Sequence, residues 1–383
     1  MGRFVWGVME IDCHVVPPRN DQLRRDFSIP TNMHPILLII FATGATLLSF
    51  ILTKLTIKKA TQLKIVDKPT GGRKIHNKPI PLLGGVPIMV TFFLIGFLAL
   101  QLIDLTITIP QSRMNAILIG SFIILLLGII DDQKNLKAHW QLGGIVLAVL
   151  IATLLGTNLT HISNPFGGII TLTEPNITFG PFAIFIIADA IVFAWLMLMT
   201  GTTKLLDGLD GLVTGIVTIG AILIAGFSMF SRYYQPDIAL AAAILAGSCL
   251  GFLVLNHHPA KIFLGSVGSI WLGYILGVLA VISGGKIAIA LLVLGVPLID
   301  MLIVVLRRMK KGKSPLAGDA THLHFRLMKT IGHKKTVYLY WALAAGFGGL
   351  TVIAQGSGKM IAFGVLVAFS LAIIVLSTSV KKT

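Results

Sequence analysis

The sequence predicts an all-α fold: a polytopic integral membrane protein with about eleven transmembrane helices, its N-terminus outside and its C-terminus cytoplasmic. Three observations carry that prediction. Hydrophobic residues make up 55% of the 383, charged residues only 12%, and mean hydropathy is +0.90, so polar surface is too scarce to cover a soluble globule. Apolar stretches of spanning length recur along the chain. The basic residues, finally, concentrate in every second connection between those stretches.

The spans fall at 34–53, 83–103, 114–130, 141–157, 181–199, 211–230, 238–255, 267–283, 287–306, 336–355 and 359–378. If the first runs inward, the connections at 54–82, 131–140, 200–210, 256–266, 307–335 and the C-terminal tail are cytoplasmic. These hold 23 of the 31 Lys and Arg, as the positive-inside rule requires. The loop 158–180 contains none and reads as extracytoplasmic. Residues 1–33 combine Pro and clustered charge without an apolar core of signal-peptide length; they read as a disordered extracytoplasmic tail, with Met33 an alternative start. The membrane domain is 34–380.

Composition also excludes classes. The net charge of +16 is a topology signal that suits anionic headgroups, and no soluble basic domain exists to bind nucleic acid. Cys13 and Cys249 imply no disulfide framework. The chain shows no internal repeat, which disfavours transporters built from duplicated halves.

Only 15 residues are acidic, and seven gather on the expected cytoplasmic side: Asp67, Asp131, Asp132, Asp207, Asp210, Asp300 and Asp319. In LLDGLDGLV, Asp207 and Asp210 share one face if the segment is helical. In GIIDDQKNLKAHW, the adjacent Asp131 and Asp132 repel unless solvated or sharing a cation. Together the four suggest oxygen ligands for Mg²⁺, with Mn²⁺ the alternative. Asp300, seven residues before Arg307, lies about 10 Å into the membrane if helical, where it is either a partner for Arg307 or Arg308 or part of a site. Asp189 falls inside the fifth span, an argument for a transporter.

Cations and turn residues complete a phosphate site. VDKPTGGRKIHNKPIPLLGG sets Lys68, Arg73, Lys74, His76 and Lys78 among Pro and Gly, offering side chains and backbone amides to anions. RRMKKGKSPLAGDATHLHFRL adds His322 and His324 beside Asp319 and Arg326, a pattern suited to phosphate contact.

These segments, with GFLVLN and PAKIFLGSVGS, occur in an order that resembles the polyprenyl-phosphate N-acetylhexosamine-1-phosphate transferases, over about residues 34–380. The last loop is similar to the wall-polymer and O-antigen initiating branch rather than the muramoyl-pentapeptide branch with its run of three histidines. The resemblance implies transfer of a sugar-1-phosphate, GlcNAc-1-phosphate by branch, from a UDP-sugar to polyprenyl phosphate with release of UMP. It implies Mg²⁺ bridging the donor diphosphate, held by Asp131, Asp132, Asp207 and Asp210, with one of the first two holding or deprotonating the lipid phosphate. Lys68, Arg73, Lys74, His76, Asn256, Lys261, His322, His324 and Arg326 become substrate contacts. Partners are then UDP-N-acetylhexosamine, polyprenyl phosphate and membrane lipid at the cytoplasmic membrane, with no nucleic acid; a homodimer stays open.

Four positions depart from the family pattern. Gly201 and Lys204 stand where asparagines are usual, Ser266 where an aspartate is usual, and Phe325 where the second histidine of HHRL is usual. Lys204 and Ser266 both weaken a hard-cation site, one by competing for a carboxylate and one by removing a charge. Two other classes follow from these features: a catalytically silent homologue that binds polyprenyl phosphate or a partner transferase, and, on Asp189, a transporter.

Overall fold

A computed structural model of the protein describes residues 33–69, 78–103, 109–157, 159, 161–163, 169–179, 182–230, 234–283, 286–312, 321–354 and 357–379. The expected tail and the residues Cys13, Arg73, Lys74, His76 and Asp319 lie outside them. The helices are α1 Pro35–Gln62, α2 Gly85–Leu102, α3 Gln111–Lys134, α4 Ala138–Leu154, α5 Ile186–Leu206, α6 Leu212–Phe230, α7 Pro236–Asn256, α8 Gly265–Ile282, α9 Ile287–Val293, α10 Gly295–Lys310, α11 Leu323–Ile331, α12 His333–Ile353 and α13 Ser357–Ser379. Among the described residues nine helices are long and apolar enough to cross a membrane, or ten with the bent pair α9–α10 taken as one span; α4, at 17 residues, is shorter. Each lies on one of the apolar stretches expected from the sequence.

Three antiparallel hairpins join them: β1 Val66–Asp67 with β2 Ile80–Pro81, β3 His161–Ser163 with β4 Ile169–Thr171, and β5 Asn176–Phe179 with β6 Phe182–Phe185. The last hairpin corrects the fifth span. Residues 182–185 pair with β5, because β-branched and aromatic residues favour a strand, so the helix begins only at Ile186. Asp189 therefore sits in the first turn of α5, not at mid-membrane, and accepts a hydrogen bond from the Phe185 amide at 3.0 Å. That is the work of a helix-end acceptor, and it removes the feature that favoured a transporter.

The ninth expected span is also not one rod. α9 and α10 meet at 71°, with Pro297 in the first turn of α10. Proline has no N–H to continue the helical ladder and its ring clashes with the preceding turn, so the chain bends before it.

Helix α8 is the hub: its membrane-length window is entirely buried. In a bilayer, small residues let helix backbones approach closely, and packing then supplies the attraction. A Cβ on Gly85 of α2 would strike the backbone of Gly268 and Val267, one on Gly128 of α3 would strike Val267, and one on Gly268 would strike Leu264 and the Gly85 Cα. Farther along, Trp271 Nε1 donates to Ser121 Oγ at 2.8 Å and the Tyr274 hydroxyl to the Ala116 carbonyl at 2.7 Å, so both large rings are satisfied where they are buried. These contacts fix α3, and the acids at its end, against the first turn of α8.

Gly85→Val should cost on the order of 3 kcal/mol, because a Cβ there meets the backbone of Gly268 and Val267, which cannot yield. Gly364→Ala, which meets open space, should leave stability unchanged or slightly higher. Thermal unfolding of both variants in nanodiscs checks the contrast.

Candidate active site

The acids at the end of α3 are placed by the start of α8. Gly265 has φ +72°, and a Cβ there would collide with the Asp132 carboxylate; the glycine lets that carboxylate sit against the helix N-terminus. The Ser266 amide donates to Asp132 Oδ1 at 2.7 Å, an anion at the positive end of a helix. Asp132 Oδ2 is buried with no hydrogen-bond partner among the described residues.

Asp131 is fully engaged instead. Its Oδ1 accepts from the Leu136 amide at 2.9 Å and from Gln141 Nε2 at 2.8 Å. Its Oδ2 accepts from Lys204 Nζ at 3.2 Å and from the Ser266 hydroxyl, and Lys204 Nζ also donates to Ser266 Oγ at 2.6 Å. With Asp131 5% exposed and Lys204 22%, the ion pair is partly desolvated. An ammonium thus lies inside the carboxylate cluster, bound to the two residues it would have to leave for a cation to take its place.

LLDGLDGLV is not one continuous helix: residues 207–211 form a turn. α5 ends at Leu206, α6 begins at Leu212, and Gly211 between them has φ +77°, a conformation that other residues resist. The turn sends the two acids apart. Asp207 is accessible on its outer side yet closely flanked by protein; lost hydration, then the charges of Asp132 and Asp210, push its carboxyl up to about 7 against the opposing pull of Lys204. The upward direction is what the chemistry uses: this carboxylate gains from a neighbouring cation. Asp210 turns elsewhere, its Oδ2 bonded to His258 Nδ1 at 2.7 Å and to the Ala260 amide at 3.1 Å. Of the four acids expected to hold one metal, Asp131 and Asp210 are engaged by protein partners, whereas Asp132 Oδ2 has no partner among the described residues and Asp207 is exposed.

The histidine loop folds inward. His322 Nδ1 bonds Asp300 Oδ2 at 2.9 Å, the Leu323 amide donates to Asp300 Oδ1 at 3.0 Å, and Arg326 approaches Asp300 at 3.7 Å. Asp300 is thus the anchor of this loop, a role the sequence left undecided. His324 stacks on His322 with ring centroids 5.6 Å apart. Burial, then His322, lower its pKa to about 3, so it is neutral at physiological pH. His324 and Phe325 press on Gly208, where a Cβ would meet both rings, and the loop abuts the Asp207 turn without ionic contact.

Among the other expected contacts, Asn256 is a strut. Its Oδ1 accepts from the Gly211 amide at 3.0 Å and its Nδ2 donates to the Ile262 carbonyl at 3.0 Å, tying the acid turn to the PAKIFLG loop. That loop in turn bonds the chain after β2, through Phe263 to the Pro81 carbonyl at 2.9 Å and Gly85 to the Leu264 carbonyl at 2.8 Å. β2 and the start of α2 are thereby moored to the PAKIFLG loop, and Lys68 and Lys261 are exposed.

The orphaned Asp132 oxygen and the open Asp207 carboxylate fit a hard divalent cation. The uncharged Ser266 hydroxyl and the occupied Asp131 make it a poorer shell than four acids. Removing Lys204 should expose that trade. Without divalent ions, Lys204→Met should destabilise the protein by on the order of 2–3 kcal/mol, since it strands a buried carboxylate. Adding Asp131→Asn should return most of that loss, as a double-mutant cycle by denaturant titration would measure.

Comparison with known proteins agrees with this geometry. Glycosyl transferase family 4 matches residues 114–284, which include the α3 acids, the LLDGLDGLV turn and the PAKIFLGSVGS loop. The chain is 32% identical over 318 residues to a probable undecaprenyl-phosphate N-acetylglucosaminyl 1-phosphate transferase of Bacillus subtilis, covering 80% of this chain and 82% of that protein. It is 30% identical to the decaprenyl-phosphate N-acetylglucosaminephosphotransferase of Mycobacterium leprae, over 81% and 82% of the two chains. An undecaprenyl-phosphate alpha-N-acetylglucosaminyl 1-phosphate transferase of Thermotoga maritima is 29% identical over 76% and 83%. With relatives matched along most of their length and the acids gathered at one end of a membrane bundle, the chain belongs to the polyprenyl-phosphate N-acetylhexosamine-1-phosphate transferases.

Proposed function

We propose that this protein transfers N-acetylglucosamine-1-phosphate from UDP-GlcNAc to polyprenyl phosphate, releasing UMP, at the cytoplasmic face of a bacterial inner membrane. The observation that carries the proposal is the unpartnered Asp132 oxygen at the first turn of α8, close enough for its charge to act on the exposed Asp207, in a chain whose relatives bear names of that activity. The distribution of Lys and Arg supports the cytoplasmic assignment of this end.

In the one-step scheme an oxygen of the lipid phosphate attacks the sugar-bearing phosphorus of the donor. That P–O bond forms while the bond to the bridging oxygen breaks, and the electron pair leaves on UMP. Mg²⁺, when bound, neutralises charge on the diphosphate and polarises the phosphorus. Asp132 and Asp207 would hold that ion, and the Lys204 ammonium lowers the repulsion between the carboxylates and an incoming phosphate. Lys68 and Lys261, both exposed, would draw the anionic donor toward the site, and Arg73, Lys74 and His76, outside the described residues, would add positive charge from the same stretch of sequence. His322, His324 and Arg326 act from the rim by fixing the loop over the Asp207 turn. Asp131 positions Lys204 and Ser266, and Asp210 stands outside the hard-cation shell.

A second reading rests on Lys204 and Ser266: a homologue that binds polyprenyl phosphate without turning over. Purified protein given UDP-GlcNAc, polyprenyl phosphate and Mg²⁺ distinguishes them. Lipid-dependent UMP release, at least tenfold above an Asp132→Asn variant and lost in EDTA, is the expected result. Release no higher than in that variant, appearing only after Lys204→Asn with Ser266→Asp, would instead establish the silent homologue.

The pH dependence has a defined sign. A carboxyl raised to about 7 is largely protonated at pH 6 and ionised at pH 8, and only the ionised form binds a cation. The Mg²⁺ concentration for half-maximal UMP release should therefore fall as pH rises from 6 to 8. Titrating Mg²⁺ at both values checks this, and Asp207→Asn should flatten whatever dependence remains.

A further inference from the structure

A different set of side chains meets on the far side of the acid turn. Asp210 comes from the connection between α5 and α6, His258 from the loop between α7 and α8, and His333 from the first residue of α12. One donor atom from each lies within 4.8 Å of the other two. Asp210 Oδ2 is 2.7 Å from His258 Nδ1 and 4.0 Å from His333 Nε2. A tetrahedral ion with ligand bonds of about 2.0–2.1 Å needs donors about 3.3 Å apart; the two Asp210 distances straddle that figure.

The histidines are prepared for such an ion. The Asp210 amide donates to His333 Nε2 at 3.1 Å, so that nitrogen carries no proton and its lone pair already points at Asp210. His333 Nδ1, which carries the proton in that tautomer, is buried with no partner among the described residues. His258 stacks on His333 with centroids 4.0 Å apart, which holds both rings at the same edge of Asp210. The Ala260 amide donates to the carboxylate at 3.1 Å, orienting a ligand as outer-shell hydrogen bonds do.

We propose that Asp210, His258 and His333 bind one borderline divalent transition-metal ion, Zn²⁺ by preference, clamping the acid turn, the PAKIFLG loop and the start of α12 together. Two imidazoles and one carboxylate suit zinc rather than magnesium. Binding sends the proton between His258 Nδ1 and Asp210 to solvent and replaces the hydrogen bond from the Asp210 amide to His333 Nε2, leaving a fourth position for water. The ion is separate from the hard cation at Asp132 and Asp207.

The test uses the full chain in nanodiscs with any polyhistidine tag removed, stripped with EDTA and dialysed against Zn²⁺. Metal analysis should find about one zinc per chain, and Co²⁺ in its place should give the visible absorption of a tetrahedral site. His258→Gln and His333→Gln should each weaken zinc binding at least tenfold, whereas Asp207→Asn should retain it. Unfolding in EDTA, compared with the parent, verifies that each variant is folded; each single histidine substitution keeps two of the three ligands. No stoichiometric zinc in the parent, undiminished zinc in both histidine variants, or its loss with Asp207→Asn would overturn the proposal.

Discussion

Everything at the site hangs on backbone meeting backbone where α2 and α3 cross the first turn of α8. Gly85, Gly128 and Gly268 remove the side chains that would hold these helices apart, and at that separation the Asp132 carboxylate reaches the Ser266 amide. Membrane helices gain little hydrophobic drive from pairing with one another, so the position of the acids is set by packing and by that one charge-assisted bond. A larger residue at the crossing would displace the chemistry as well as weaken the fold.

Charge is the second constraint. Three carboxylates, Asp131, Asp132 and Asp207, come near one ammonium, Lys204, at the edge of a low-dielectric medium where like charges repel strongly. Lys204 and Ser266 act as a unit, since the ammonium is bonded to both Asp131 and the serine hydroxyl. An aspartate at 266 would add a fourth negative charge beside Asp131, and an uncharged residue at 204 would leave that cluster unbalanced. The two departures from the family pattern each make the site more positive by one charge, and the ammonium and hydroxyl they supply are bonded to one another and to Asp131.

Much of the bundle was legible because a bilayer demands long apolar helices and little else. The helices begin and end near the limits read from hydropathy. What hydropathy does not encode was missed: the hairpin before α5, which moved Asp189 to a helix end, and the bend before Pro297. The site was legible as a set of residues and less so as a geometry. Asp207 and Asp210 looked like neighbours on one helical face, but the helix breaks from 207 to 211, between α5 and α6. Asp300 had Arg307 and Arg308 as sequence neighbours, yet its bond to His322 spans a loop that no local period predicts. The grouping of Asp210, His258 and His333 joins three distant segments; its only sequence signal was a histidine at each of two helix boundaries.

The brevity of α4 bears on the lipid around the site. Its 17 residues rise about 25 Å, some 5 Å less than a typical hydrocarbon core, and it packs along α3, the helix that ends in the acid pair. Trp140, near its N-terminus, is 65% exposed, where an indole anchors at headgroup level. Hydrophobic mismatch of this kind is relieved when the surrounding leaflets thin. A leaflet thinned in that way along the α3–α4 flank would bring lipid phosphates closer to the carboxylates.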